Sequence, residues 1–237
     1  MLQLSKKRRK TLTIFGAVSL LAIGYISSVR GEQKTEVIQV AASEKSTETK
    51  TAKAIFAGGC FWCVESDFDK VKGVLKTTSG YTGGNTKDPT YKEVTYKNTG
   101  HFEAVEIIYD PKIVTYKQLL HSFWRSVDPT DDGGQFCDRG ASYRTAIFPT
   151  TDEQLKLAKE SKNEEQTNGK LKGKIVTPII KASKFYKAEG YHQNYYQTNP
   201  VRYNYYRYSC GRDQRLKKLW GKEAHSGQEK GQQKATH

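Results

Sequence analysis

Cys60 and Cys63 form a C-x-x-C pair in the stretch Gly58-Gly59-Cys60-Phe61-Trp62-Cys63-Val64-Glu65, which has more chemistry available to it than any other part of the chain. The apolar run Ala54-Ile55-Phe56-Ala57 precedes it, and Val64, Phe68, Val71 and Val74 follow at near-helical spacing. The pattern predicts a buried strand, a glycine turn and a helix beginning near Cys60. A helix start offers unpaired N–H groups and the positive end of the macrodipole, which would favour a thiolate at Cys60 and make it a nucleophile. The two glycines permit close approach, and Phe61 and Trp62 set large aromatic rings beside the sulfur. The plainer alternative is a thiol packed inertly under the sheet.

A second reactive group is expected at Glu103. In His101-Phe102-Glu103-Ala104-Val105-Glu106-Ile107-Ile108-Tyr109 a period of two puts Glu103 on the face of Val105 and Ile107, with Glu106 opposite. A carboxyl on an apolar face is desolvated, keeps its proton and suits general acid catalysis. The loop Gly133-Gly134-Gln135-Phe136-Cys137-Asp138-Arg139-Gly140 combines flexible backbone with a thiol and two charges, though Asp138 and Arg139 could simply cap turns. Tyr91 and Tyr143 offer hydroxyls to a polar substrate oxygen. His192 lies in no metal-ligand pattern and is expected to make a structural hydrogen bond.

The elements that must position these groups alternate between strand-like and helix-like segments. Strands are expected over 74–81, 101–109, 143–148 and 175–180, and helices after Cys60, over 115–127, from Thr151 with Gln154 in a capping-box pattern, and over 212–220. The fold class is α+β: a mixed α/β sandwich, with a central mixed sheet flanked by helices.

The 237 residues are enough for one good-sized domain. Net charge is +14, concentrated at the two ends, so no nucleic-acid partner is expected. Lys6-Lys7-Arg8-Arg9-Lys10 precedes an apolar run over residues 11–29, close to the roughly 20 residues a bilayer-spanning helix requires. Residues 1–30 therefore read as an uncleaved signal-anchor, with the basic cluster cytoplasmic and the domain extracytoplasmic. Residues 31–52 read as a flexible tether, 53–223 as the catalytic domain and 224–237 as a disordered tail. Four cysteines are too few for a disulfide scaffold.

Taken in order, Gly59-Cys60-Phe61-Trp62, Gly80-Tyr81-Thr82-Gly83-Gly84 with Pro89-Thr90-Tyr91, Gly100-His101-Phe102-Glu103-Ala104-Val105, Asp138-Arg139-Gly140 before Tyr143-Arg144, and Phe185-Tyr186 with Glu189 and His192-Gln193 resemble the A-type peptide methionine sulfoxide reductases. The resemblance runs from about Lys53 to Pro200. It implies that Cys60 attacks the sulfoxide sulfur while Glu103 protonates the departing oxygen, helped by Tyr91 and Tyr143. Phe61 and Trp62 would hold the substrate methyl group, and Asp138 the bound peptide. Cys60 would be left as a sulfenic acid that a second thiol converts to a disulfide. The resemblance further implies no bound cofactor, a thioredoxin-like dithiol as electron donor, selectivity for the S epimer, and oxidised proteins, peptides or free methionine sulfoxide as substrates. A monomer is expected.

The chain departs from the commonest family pattern at Cys63, where many relatives have glycine, at the additional Cys137, and in lacking a glycine-rich tail. Cys63 and Cys210 are both candidates to resolve the sulfenic acid. Cys210 is preferred, because a disulfide within one helical turn is strained unless the turn unwinds. Two rival readings are a zinc protein using Cys60, Cys63 and Cys137 with His101 or Cys210, and a general C-x-x-C thiol-disulfide oxidoreductase.

Overall fold

The computed structural model describes residues 50–229. In chain order the elements are β1 (Ala52–Gly58), α1 (Phe61–Phe68), β2 (Val74–Thr82), α2 (Tyr91–Tyr96), β3 (Phe102–Tyr109), α3 (Tyr116–Trp124), β4 (Gly134–Gln135), β5 (Asp138–Arg139), β6 (Thr145–Ile147), α4 (Asp152–Thr167), β7 (Tyr186–Lys187), α5 (Tyr195–Thr198), α6 (Pro200–Ser209) and α7 (Arg212–Trp220). The expected membrane segment, residues 11–29, lies outside the described residues. Among those that are described, no helix is long and apolar enough to cross a membrane.

Five strands form one sheet in the order β6-β1-β3-β2-β7, and β4 and β5 make a separate hairpin. All pairings in the five-stranded sheet are antiparallel, which corrects the expected mixed sheet. The parallel contact among the described residues is an isolated bridge between Ile147 and Ile179. Residues 175–180, expected as a strand, run beside β6 but are interrupted by Pro178, which has no N–H to give to a ladder. The Pro178 carbonyl accepts from Ile147 N–H at 3.0 Å, and Ile180 N–H returns a bond to the Ile147 carbonyl.

Alternation along the strands creates two faces. Ala54 and Phe56 of β1 pair in register with Ile107 and Val105 of β3, and all four enter the main core. Ile55, Ala57, Phe102 and Ala104 enter a smaller core on the other face. Helices α1 and α3 cover the main face, where the Phe56 ring lies 5.3 Å from Phe68 and 5.0 Å from Phe123. A one-residue slip of β1 would turn Phe56 out of this core, forfeiting roughly 1.5–3 kcal/mol of burial for that ring alone. The same alternation buries Glu103 at 1 % exposure on the main-core face. Glu106 points to the opposite face and pairs with Lys53 at 2.7 Å.

Helix starts follow the side-chain chemistry of their caps. Thr90 and Glu93 form a complete capping box on α2, and Thr115 and Gln118 form one on α3. On α4 the box is one-sided: Thr151 accepts from Gln154 N–H, but the Gln154 side chain accepts from Thr150 N–H instead. After α7 the chain stays attached. His225 pairs with Asp213 at 3.1 Å, Ser226 meets His121 at 2.8 Å, and Glu229 N–H donates to the Lys70 carbonyl at 2.7 Å.

Candidate active site

The turn from β1 into α1 is closed by Gly59 at φ +84, where a Cβ would sit 2.5 Å from Gln135 Cβ. Only glycine meets both conditions. Cys60 is the N-cap of α1, and its carbonyl accepts from the N–H groups of Cys63 and Val64 at 3.1 and 3.3 Å. Cys60 and Cys63 are both free thiols, 6 % and 2 % exposed, and hydrogen-bond to each other.

The expected thiolate at Cys60 is corrected by its surroundings. Burial pushes the Cys60 thiol well above its ordinary range, with Cys63, Glu103 and Asp138 adding to the rise. The Cys60 side chain also makes no capping hydrogen bond to the helix start. Cys63 moves the other way: the hydrogen bond from Cys60 lowers it to about 7 against its burial, aided by Arg212 and Arg207. The two thiols of the pair are thus pushed in opposite directions, Cys60 toward the neutral thiol and Cys63 toward the thiolate.

Glu103 lies next to this pair. Its Oε2 accepts from the Phe61 N–H at 3.0 Å, so the residue after Cys60 anchors the carboxyl. Burial drives the Glu103 pKa up to about 8, partly offset by the Phe61 bond, and the group is protonated at neutral pH. The Tyr143 hydroxyl hydrogen-bonds Glu103, and Tyr91 hydrogen-bonds Tyr143. Burial raises both phenols, so they remain hydrogen-bond donors.

Aromatic groups from distant parts of the chain complete the surroundings. Trp62 stacks on Tyr195 at 3.8 Å, meets the edge of Tyr206 at 5.8 Å, and donates its indole N–H to His192 Nδ1 at 3.1 Å. The His192 ring also lies 5.0 Å from Phe61 and 4.5 Å from Tyr91. The expected structural hydrogen bond of His192 is therefore present, and its partner is the indole of Trp62.

Residues of the recurring motifs hold the loops in place. His101 receives the Gly84 N–H at Nδ1 and lies 2.8 Å from the Thr86 carbonyl at Nε2, fixing the loop that leads to Tyr91. Glu189 accepts from Tyr91 N–H and from the Tyr81 hydroxyl, both at 2.8 Å. Gln193 bonds both backbone groups of Ser79.

Asp138 accepts from the Tyr206 hydroxyl, which joins the β4–β5 hairpin to α6. Arg139 forks onto Asp131 at 2.6 and 2.9 Å, a surface role away from Cys60. Cys137 and Cys210 form a disulfide with Cα atoms 4.9 Å apart. The preferred resolving cysteine, Cys210, is thus paired with Cys137, whereas Cys63 already touches Cys60. The expected strain of a bond within α1 is also eased: Cys60 has φ −50 and ψ 118, outside the helical turn. The zinc reading fits poorly, since the metal-capable cluster found among the described residues is Cys137, Asp138 and Cys210, whose sulfurs are already joined.

The sequence reading missed Tyr195, Tyr206, Arg207 and Arg212. Cys63 and Asp67 stand four apart on α1 and therefore share a face. Asp67, 2 % exposed, pairs with Arg207 at 2.8 Å and lies 3.7 Å from Arg212. Arg207 also bonds the Tyr203 hydroxyl at 2.9 Å, and Tyr203 packs against Cys63. A buried aspartate spaced four residues from a cysteine is the one local signal that could have pointed to this network.

Fold and site together define an α+β thiol redox domain in which a buried cysteine pair adjoins a protonated carboxyl. A family model described as peptide methionine sulfoxide reductase matches residues 52–224. The chain is 52% identical over 174 residues to the peptide methionine sulfoxide reductase MsrA of Bacillus licheniformis, covering 73% of this chain and 96% of that one. It is 54% identical over 172 residues to MsrA 2 of Caulobacter vibrioides, covering 73% and 87%. Among solved structures, Mxr1 of Saccharomyces cerevisiae in reduced form is similar with a TM-score of 0.61 and 32% identity, over 65% of this chain and 88% of that one. The chain belongs to the peptide methionine sulfoxide reductase family.

Proposed function

We propose that this chain reduces the S epimer of methionine sulfoxide, free or in proteins, with Cys60 as nucleophile, Glu103 as acid and Cys63 as resolving thiol. The observation that carries the reading is the bond from Phe61 N–H to Glu103 Oε2, which ties a protonated carboxyl to the turn bearing Cys60. Cys60 attacks the sulfoxide sulfur as its proton passes to the Cys63 thiolate, and Glu103 protonates the sulfoxide oxygen. Tyr91 and Tyr143 donate hydrogen bonds to that oxygen, while Phe61 and Trp62 enclose the methyl group. Asp138 orients the peptide. Methionine departs and leaves Cys60 as a sulfenic acid. The Cys63 sulfur then displaces its oxygen as water, forming a disulfide, and Glu103 regains a proton from solvent. The sum is sulfoxide plus two thiols giving sulfide, disulfide and water. A thioredoxin-like dithiol restores the thiols.

The test is methionine sulfoxide reduction supported by dithiothreitol. The wild type should convert the S epimer and Cys60→Ser should be inactive; an inert wild type, or a fully active Cys60→Ser, refutes the assignment.

The proposal extends to location: residues 11–29 hold the domain at the outer face of a membrane, supported by the Lys6–Lys10 cluster ahead of an apolar run. Fractionation should leave the full chain with the membrane and open to externally added protease. Recovery in the soluble cytoplasm excludes this placement.

A further inference from the structure

Consecutive residues His192, Gln193, Asn194 and Tyr195 fasten one loop to α1 and β2. His192 Nδ1 accepts the Trp62 indole N–H at 3.1 Å, and the Tyr195 ring stacks on the same indole at 3.8 Å. Gln193 Oε1 accepts from the Ser79 N–H, and its amide donates to the Ser79 carbonyl, which ties the loop to β2. The Asn194 N–H donates to Glu65 Oε2 at 2.9 Å, which ties it to α1. Glu65 stands three residues after Trp62 on that helix and therefore on the same side of it.

Asn194 has φ +51 and ψ 33, a left-handed conformation that asparagine adopts more readily than most side chains. This turn lets His192 meet the indole at its N–H while Tyr195 covers its face. Glu65 is fully buried, where a backbone N–H left without an acceptor is costly, so the turn depends on this carboxyl. Burial, with the Asp69 carboxylate adding to it, raises Glu65 to about 8 and keeps it a neutral acid at neutral pH. No step of the proposed reaction uses it.

We propose that Glu65 is a positioning residue for substrate selectivity: through Asn194 it holds His192 and Tyr195 against the Trp62 indole, and so sets the size of the pocket that receives the substrate methyl group. The inference rests on the reductase reading above, in which Phe61 and Trp62 enclose that group. A wall clamped at its edge and on its face admits a methyl and resists an ethyl. With the latch gone, the indole tilts and the larger group enters.

The test compares methionine sulfoxide with ethionine sulfoxide, which is larger by one methylene, in the wild type, Glu65→Leu and Glu65→Gln. A methylene in a fitted pocket is worth about 10–200-fold, so the wild type should prefer the methyl substrate by about tenfold or more in kcat/KM. Glu65→Leu removes the acceptor and should shrink the preference to about threefold or less, whereas Glu65→Gln keeps an oxygen for Asn194 and should restore most of it.

Indole hydrogen exchange reads the same latch without substrate. The Trp124 and Trp220 indoles donate to Ser161 and to the Val127 carbonyl, away from the latch, and serve as internal references. In Glu65→Leu the Trp62 indole should exchange about tenfold faster while the references keep their wild-type rates. In unmutated protein the protection of the Trp62 indole should match that of the Asn194 amide to within about threefold, since one opening frees both. An unchanged substrate preference in Glu65→Leu, equal losses in the Leu and Gln variants, or acceleration of all three indoles together overturns the role of Glu65 and leaves the reductase reading standing. A Trp62 indole protected more than about tenfold less than the Asn194 amide in unmutated protein does the same. A wild type that reduces neither sulfoxide overturns the reductase reading and the selectivity built on it.

Discussion

The Phe61 N–H donates to Glu103 Oε2 at 3.0 Å, so the first residue of α1 and the middle of β3 are locked together beside Cys60. A helix N–H that would otherwise lack an intrahelical partner is satisfied by the carboxyl we propose as the acid. Cap and acid are a single contact.

Glu103→Gln keeps the contact with Phe61 and removes the transferable proton. Its kcat should fall by ~10²–10⁴-fold, the usual worth of a positioned general acid. In the wild type the rate should decline as pH rises through about 8, where Glu103 loses its proton. A pH–rate profile of both proteins checks this, and a Gln variant retaining the same alkaline limb would assign that limb to another group.

Cys63 should titrate near 7, visible as thiolate absorbance at 240 nm and absent in Cys63→Ser. Arg207→Met removes a positive charge beside it and should move the midpoint upward. Arg207→Lys should restore part of the shift.

Glu65 and Glu103 also set a dependence of stability on pH. Both are held near pKa 8 chiefly by burial, far above the ordinary carboxylate value. Between about 4.3, where an unfolded glutamate titrates, and 8, the folded chain binds more protons than the unfolded one. Stability from these groups is therefore full below the unfolded pKa and is lost as pH rises toward 8. Glu65→Gln should flatten the decline in urea midpoint between pH 5 and 8, values chosen to lie at roughly the two ends of this window. An unchanged slope would exclude Glu65 as its source.

His192→Phe leaves the Trp62 indole N–H without its acceptor, at a cost of about 1–3 kcal/mol. Trp62 then loses its fixed orientation, and kcat/KM for a methionine sulfoxide peptide should fall about tenfold, mostly through KM. His192→Gln, which offers an amide oxygen, should recover part of the loss. Equal losses in the two variants would point to ring packing instead of the hydrogen bond.

Local periodicity made some of this legible. The helix start at Cys60 and the inward face of Glu103 follow from spacings of a few residues, and both hold. The antiparallel sheet order was not legible, since β1 pairs with β3 and β6 from far along the chain. Trp62 and His192 are 130 residues apart, and no local pattern announces their contact. The opposite pull on the two thiols was hidden for a related reason: burial raises Cys60, while the hydrogen bond with Cys60 and the guanidinium groups brought by α6 and α7 lower Cys63, and sequence alone makes only the helix end visible.

The contacts after α7 have a practical consequence for where the chain can be cut. Removing everything beyond Glu223 takes His225 from Asp213, which keeps Arg207, takes Ser226 from His121, and removes the donor to the Lys70 carbonyl, two residues past the end of α1. The last of these braces the far end of the helix whose first turn carries the thiols, and the other two tie the same segment to α7 and α3. A recombinant boundary or protease site at 224 would loosen that helix from behind, whereas one placed after 229 would leave it braced.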